Sequence, residues 1–216
     1  MADVATAIKV MLKGIDRYNP ENLSVLEPFV KSQVKENFCD LSANLAVLKL
    51  YQFNPSYFQE EIVCDILLKA LEALPSPDFS LCECLVDQYH HENPQIGRLI
   101  FLNHLLQTCD FRLFWRELKA TPELIEGVTG FEDAIRKYIC QTVSNSYQHI
   151  KAETLQALLG DLEDKDLDAW IEKNGWTRTD DLIFVTNQEE IIKSRNIVDK
   201  VNFDKVQSVM ISGLHS

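Results

Sequence analysis

The chain has 216 residues, of which 46% are hydrophobic and 25% charged, and its formal net charge is −12. That is enough chain and enough apolar side chain for one large core or two small ones, in the manner of a soluble globular protein. The acidic balance argues against a general binder of nucleic acid or anionic membrane, which needs a basic surplus to neutralise phosphates.

No run reaches the ~18 apolar residues of a membrane span, and Lys9 and Lys13 interrupt the start, so neither a spanning helix nor a signal peptide is expected. Cys39, Cys64, Cys82, Cys84, Cys109 and Cys140 accordingly read as reduced thiols. The expected compartment is the cytoplasm, with the nucleus as a second one.

Along the chain, Asn19-Pro20, Asn54-Pro55 and Asn93-Pro94 each pair an N-cap residue with a proline suited to the first helical position. Asp110 and Thr121-Pro122 look like further starts of this kind. After Pro20 the apolar positions are Leu23, Leu26, Val30 and Val34, at helical spacing. "DLSANLAVLKLYQF" is apolar on more than one side, as a central helix would be. After Pro55 come Phe58, Ile62, Ile66, Leu67, Ala70 and Leu74, closed by "PSPD". A helix from about Phe79 carries Cys82, Leu85, Val86 and Tyr89; another after Pro94 carries Ile96, Leu99, Ile100 and Leu106; the next carries Phe111, Phe114, Trp115 and Leu118. The Asn-Pro starts recur at roughly the 34–47 residue interval of helix-pair repeats, without repetition of the residues between. Residues 1–127 therefore read as a degenerate helical-repeat domain.

From residue 128 the character changes. "TGFEDAIRKYICQTV" opens with Thr129 and Glu132 in capping-box spacing and runs Phe131, Ile135, Tyr138, Ile139 and Thr142 down one face. "SYQHI" is β-like, "KAETLQALLG" is a helix stopped by Gly160, and "GDLEDKDLDAWIEKNGW" is a helix with Leu167, Trp170 and Ile171 on its apolar side. "WTRTDDLIFV" then reads as strand, Asp-rich turn and strand. Helix, strand, helix, helix, hairpin is the order of a winged helix, expected over residues 128–200. Residues 201–216 read as a C-terminal helix and tail, with "NFDKVQSVMISGL" expected as an amphipathic helix carrying Phe203, Val206 and Met210 on one side. The fold class expected is mostly α: a HEAT-like helical-repeat domain followed by a winged helix with a small β-sheet.

In a DNA-reading winged helix the segment from Asp161 to Asn174 would enter the major groove. Here it carries Asp161, Glu163, Asp164, Asp166, Asp168 and Glu172 against Lys165 and Lys173. Phosphates would repel it, so direct sequence-specific nucleic-acid binding is not expected. Cys82-x-Cys84 with His90 and His91 is the sharpest metal pattern, but a C-x-C pair on a helix turns its sulfurs about 200° apart, and neither metal nor cofactor is expected. No G-x-S-x-G, HExxH, Walker or GxGxxG pattern occurs, and no catalytic residue is assigned. His104 reads as a packed histidine, His149 as one hydrogen-bonded near a helix–strand junction, and Glu132, Asp133, Arg136 and Lys137 as a solvated helix face.

"KGIDRYNPENL", "NLAVLKLYQFNP", "VTGFEDAIRKYI", "YQHI", "LLGDL", "NGW" and "QEEIIKSRNIVDKVNFD" together resemble the k-subunit family of eukaryotic translation initiation factor 3, in order and spacing, from Lys13 to Val206. The resemblance implies a PCI-type protein: a non-catalytic subunit of the initiation factor, beside its l subunit, reaching the small ribosomal subunit through the complex. Relatives of the same architecture serve the proteasome lid and the signalosome, so assembly of another PCI complex is the alternative. It also implies that the winged helix is an assembly surface. The expected interface is the edge of the hairpin at Leu182, Ile183, Phe184 and Val185 together with a bundling face of Phe203, Val206, Met210 and Leu214. On that reading, charge at Ile183 or Val185 should disturb partners and spare the fold.

Overall fold

The computed structural model describes residues 2–186, which fall within one compact unit. It is mostly helical, with a small antiparallel sheet near its C-terminal end. The helices are α1 (Ala2–Met11), α2 (Leu23–Glu36), α3 (Leu41–Phe53), α4 (Glu60–Glu72), α5 (Asp78–Glu83), α6 (Pro94–Gln107), α7 (Phe111–Ala120), α8 (Phe131–Ser146), α9 (Ala152–Leu158) and α10 (Asp164–Lys173). The strands are β1 (His149–Lys151), β2 (Thr177–Thr179) and β3 (Leu182–Phe184). Among the described residues no helix is long and apolar enough to cross a membrane.

Local chemistry accounts for most helix starts. Asp40 accepts from Ala43 N at 3.2 Å at the head of α3, Asn93 from Gln95 N at 2.9 Å at the head of α6, and Asp110 from Leu113 N at 3.3 Å at the head of α7. Each satisfies a backbone donor that a helix start leaves unpaired. The other proline-headed starts behave differently. Pro20, Pro55 and Pro122 open 3-10 turns, and α2 and α4 begin only at Leu23 and Glu60. Asn54 ends α3 instead of capping α4, its Nδ2 donating to Leu50 O at 3.1 Å. Thr121 likewise donates back to Glu117 O at 3.0 Å. The expected capping box at Thr129 and Glu132 is not formed either: Gly130, at φ +83°, is the residue before α8, and Glu132 pairs with Arg136.

The periodic apolar faces turn inward as expected. α2 buries Leu23, Leu26, Phe29, Val30 and Val34, and α7 buries Phe111, Phe114, Trp115 and Leu118. α3 is buried on several sides, but the hub is α4, which packs against α2, α3, α5, α6 and α8. That is why its residues from Ile62 to Leu71 are buried apart from Asp65. α5 is shorter than the apolar pattern suggests: it stops at Glu83, and Tyr89 projects from a following 3-10 turn. His104 is exposed on α6, a correction to its reading as a packed side chain; its neighbours Asn103 and Leu105 take the inner positions.

Of the buried polar side chains, Gln33, Asn44 and Lys69 are held by partners. Gln33 Nε2 donates to Asn44 Oδ1 at 2.8 Å, and Gln33 Oε1 accepts from Asp40 N at 2.8 Å, tying α2 to the start of α3. Lys69 is buried on α4, with its Nζ bonded to Glu72 Oε2 and to Asn37 Oδ1 at 3.0 Å. Asn37 ends α2 in the left-handed region at φ 52°. A Cβ on Gly130 would lie 2.6 Å from Asn37 Nδ2, so this pair lets the α8 start approach the end of α2.

The strands run in the order β1-β3-β2. Ile150 is opposite Ile183 in the β1–β3 pair, and both are buried. They belong to one hydrophobic cluster that runs from Ile8 through the helices to Val185. The sheet is thus a layer on the helical core.

Candidate functional site

β3 is the middle strand, and this changes which parts of the hairpin are available. Its backbone pairs with β1 on one side and β2 on the other, so it presents no edge. The open edges belong to β1 and β2. The expectation of an edge at Leu182–Val185 is therefore corrected: a hairpin read alone always has two edges, and the third strand, 26 or more positions upstream in sequence, takes one of them.

Strand alternation sorts the four hairpin residues. Ile183 and Val185 face the core, at 0% and 8% exposure, while Leu182 and Phe184 face outward at 43% each. A charge at Ile183 or Val185 would be buried without a partner, so those positions cannot carry an interface that spares the fold. Phe203, Val206, Met210 and Leu214 lie outside the described residues.

The outward face is larger than the hairpin. His149 stands opposite Phe184 in the register, with ring centroids 4.7 Å apart, and Lys151 stands opposite Leu182. Tyr147, in extended backbone at the end of α8, is also exposed. Together these make a mixed aromatic and aliphatic surface on the side of the sheet away from the core. His149, expected to be hydrogen-bonded near a helix–strand junction, is instead an exposed ring against Phe184, a place that follows from the β1–β3 register.

α10 buries Leu167, Trp170 and Ile171 as expected and leaves Asp164, Asp166, Asp168 and Glu172 exposed. Asp168 Oδ1 accepts from Arg178 Nη1 at 2.6 Å, which ties α10 to β2 and favours the charged guanidinium. Acidic residues in the first turn of α10 also complement its helix dipole. The acidic surface has a structural account and does not match a phosphate backbone.

The module is fastened to the helices at the C-terminal end of α9. Trp115 Nε1 donates to Leu158 O at 2.8 Å, Arg136 Nε to Leu159 O at 3.2 Å, and Lys119 Nζ to Gly160 O at 3.3 Å. Three successive carbonyls left unpaired by the helix end are each met by a side chain from α7 or α8. Arg136 also lies over the Trp115 ring, 5.0 Å from its centroid, and holds Glu132 at 2.7 Å and Asp133 at 3.3 Å. Arg136 was expected on a solvated face; its side chain is 13% exposed, since a guanidinium can serve both the carbonyl and the indole.

The cysteine–histidine pattern is dispersed. Cys82 is buried and Cys84 exposed, and His90 stacks on Phe58 with ring centroids 3.6 Å apart. Burial pushes the thiols of Cys64, Cys82 and Cys140 up to about 12, away from the range in which a thiolate attacks or ligates.

The sequence is similar to that of known proteins along nearly its whole length. The model of the CSN8/PSMD8/EIF3K family matches residues 57–196. "Eukaryotic translation initiation factor 3 subunit K" of Homo sapiens is 53% identical over 94% of this chain and 93% of its own. The proteins of the same name from Nematostella vectensis and Culex quinquefasciatus are 48% and 42% identical, covering 97% and 96% of this chain and 97% and 94% of theirs.

Proposed function

The chain belongs to the CSN8/PSMD8/EIF3K family, and from that membership we propose that it is a non-catalytic subunit of eukaryotic translation initiation factor 3. The observation that carries this is identity of 53% to a named subunit K across 94% of the chain, which leaves little room for a different role. The relatives' shared name disfavours assembly into a proteasome lid or signalosome. Its work is to join other subunits and so support initiation in the cytoplasm, with the nucleus as a second compartment.

Within this reading, α8, β1, α9, α10, β2 and β3 are the described part of the winged helix expected over residues 128–200, and the helices up to residue 127 form a HEAT-like stack. The element order supports that division. The outward sheet face of Leu182, Phe184 and His149 is the assembly surface, because apolar side chains of this size are sheltered from water when a neighbouring chain covers them. The partner at this face is the l subunit, and the small ribosomal subunit is reached through the complex. The acidic α10 supports protein contact over nucleic acid.

Size-resolved co-purification from cytosol, with bound proteins identified by mass, tests the assignment. Recovery with initiation-factor subunits is expected. Recovery with lid or signalosome subunits, or as a free monomer, would overturn it.

A further inference from the structure

A second surface borders the outward sheet face at Lys151, and it has the opposite charge to the chain as a whole. An open cleft of about 630 Å³ runs between α7 and the β1–α9 segment. Arg112, Arg116 and Lys119 line it from α7, and Lys151 lines it from the end of β1. On α7 these cations sit at i, i+4 and i+7, one position beyond the inward Phe111, Trp115 and Leu118. They therefore form one continuous stripe over two helical turns.

Lys119 is partly neutralised by Asp161 Oδ2 at 3.6 Å. Arg112, Arg116 and Lys151 have no ion pair among the described residues, although acidic residues outnumber basic ones, 33 to 21, in the chain. Unpaired arginines one turn apart present forks suited to carboxylates or phosphates. Two features favour carboxylates. Glu153 and Asp161 stand on the same cleft and would repel a continuous phosphate chain, whereas a peptide can place a neutral or basic residue opposite them. The aromatic wall, Trp115, is buried, with Arg136 over its ring and Gly160 against it, so no ring is open for bases to stack on.

We propose that the cleft between α7 and β1–α9 is a docking site for an acidic helix of a partner protein, whose carboxylates at i, i+4 and i+7 follow the Arg112–Arg116–Lys119 stripe while Lys151 faces them from the end of β1. The two-turn stripe sets the register, and charge complementarity selects the partner. The site adjoins the outward sheet face at Lys151, while its arginines on α7 lie outside that face.

The test uses the full chain and a fluorescein-labelled helical peptide carrying Glu at i, i+4 and i+7, followed by fluorescence anisotropy at low ionic strength. The comparisons are the same peptide with Gln for Glu and a single-stranded RNA of equal net charge. Arg112→Glu with Arg116→Glu should weaken the acidic peptide by about tenfold or more, while Lys35→Glu with Lys137→Glu, an equal charge change on other exposed helix faces, leaves it unchanged. The Gln peptide should not bind. Circular dichroism confirms that both variants fold. Equal weakening by both variants, tighter binding of the RNA than of the peptide, or no binding of the acidic peptide would each overturn the proposal.

Discussion

The indole N–H of Trp115 on α7 donates to the carbonyl of Leu158, 43 positions later, at 2.8 Å. Behind that bond, Gly160 lies so close that an added Cβ would be 2.9 Å from Trp115 Cδ2, and its φ of +96° already favours glycine. Gly160→Ala should therefore cost about 1–3 kcal/mol, and Trp115→Phe about 1–2 kcal/mol through the unpaired carbonyl. Urea denaturation of each variant measures this; unchanged midpoints would show that the contact does not fasten the module.

The two faces of β3 should respond oppositely to charge. Ile183→Lys places an unpaired ammonium in the core and should cost more than about 4 kcal/mol, enough to prevent folding of a marginal domain. Leu182→Lys with Phe184→Lys should keep the native circular dichroism spectrum and weaken co-assembly with initiation-factor subunits. Normal assembly of that double variant would move the interface off the sheet.

Asp65 on α4 titrates high. Burial, then repulsion from Glu61, lift its carboxyl to about 6, with Lys31 pulling the other way. Because the folded chain holds this proton more tightly than the unfolded chain, the contribution of Asp65 is most favourable below the ordinary carboxylate range and is lost as pH rises towards 6. Asp65→Asn should remove that fall, so its stability gain over the parent should grow from acidic pH towards pH 7. Denaturation midpoints of the two proteins across this window give the sign; a gain that shrinks with rising pH would refute it.

The buried Lys69–Glu72 pair predicts a large penalty for half-removal. Lys69→Ala leaves the Glu72 carboxyl without its cation and should cost about 3–5 kcal/mol. Replacing both residues with Met should recover much of that loss, because neither desolvated charge then remains. Stability of the single and double variants by calorimetry decides it, and additive losses would contradict the pairing.

Thiol accessibility follows burial. Cys39, Cys84 and Cys109 are exposed, whereas Cys64, Cys82 and Cys140 are buried. An aromatic disulfide reagent should titrate the first group in the native protein and the second only in denaturant. Cys39 should be the slowest of the exposed set, since partial burial pushes its thiol up.

By itself the sequence determined the helices and their inward faces. Leu23, Leu26 and Val30, or Phe111, Trp115 and Leu118, recur at the helical period, and only one side of such a segment can avoid water. Asn93 and Asp110 were legible as starts because capping is settled within three residues. The acidic surface of α10 was legible too, since its apolar residues fix which side is left to solvent.

Tertiary structure decided what depends on distant partners. β3 loses its edge to β1, His149 meets Phe184, and Arg136 leaves solvent for the end of α9, because pairing register and carbonyl geometry join residues far apart in the chain. Asn54 and Thr121 turned back to the preceding helix because both neighbouring helix ends competed for one side chain. The basic stripe on α7 became a cleft only when Lys151 was brought opposite it. Periodicity is a property of one segment, while a surface belongs to all the segments that border it.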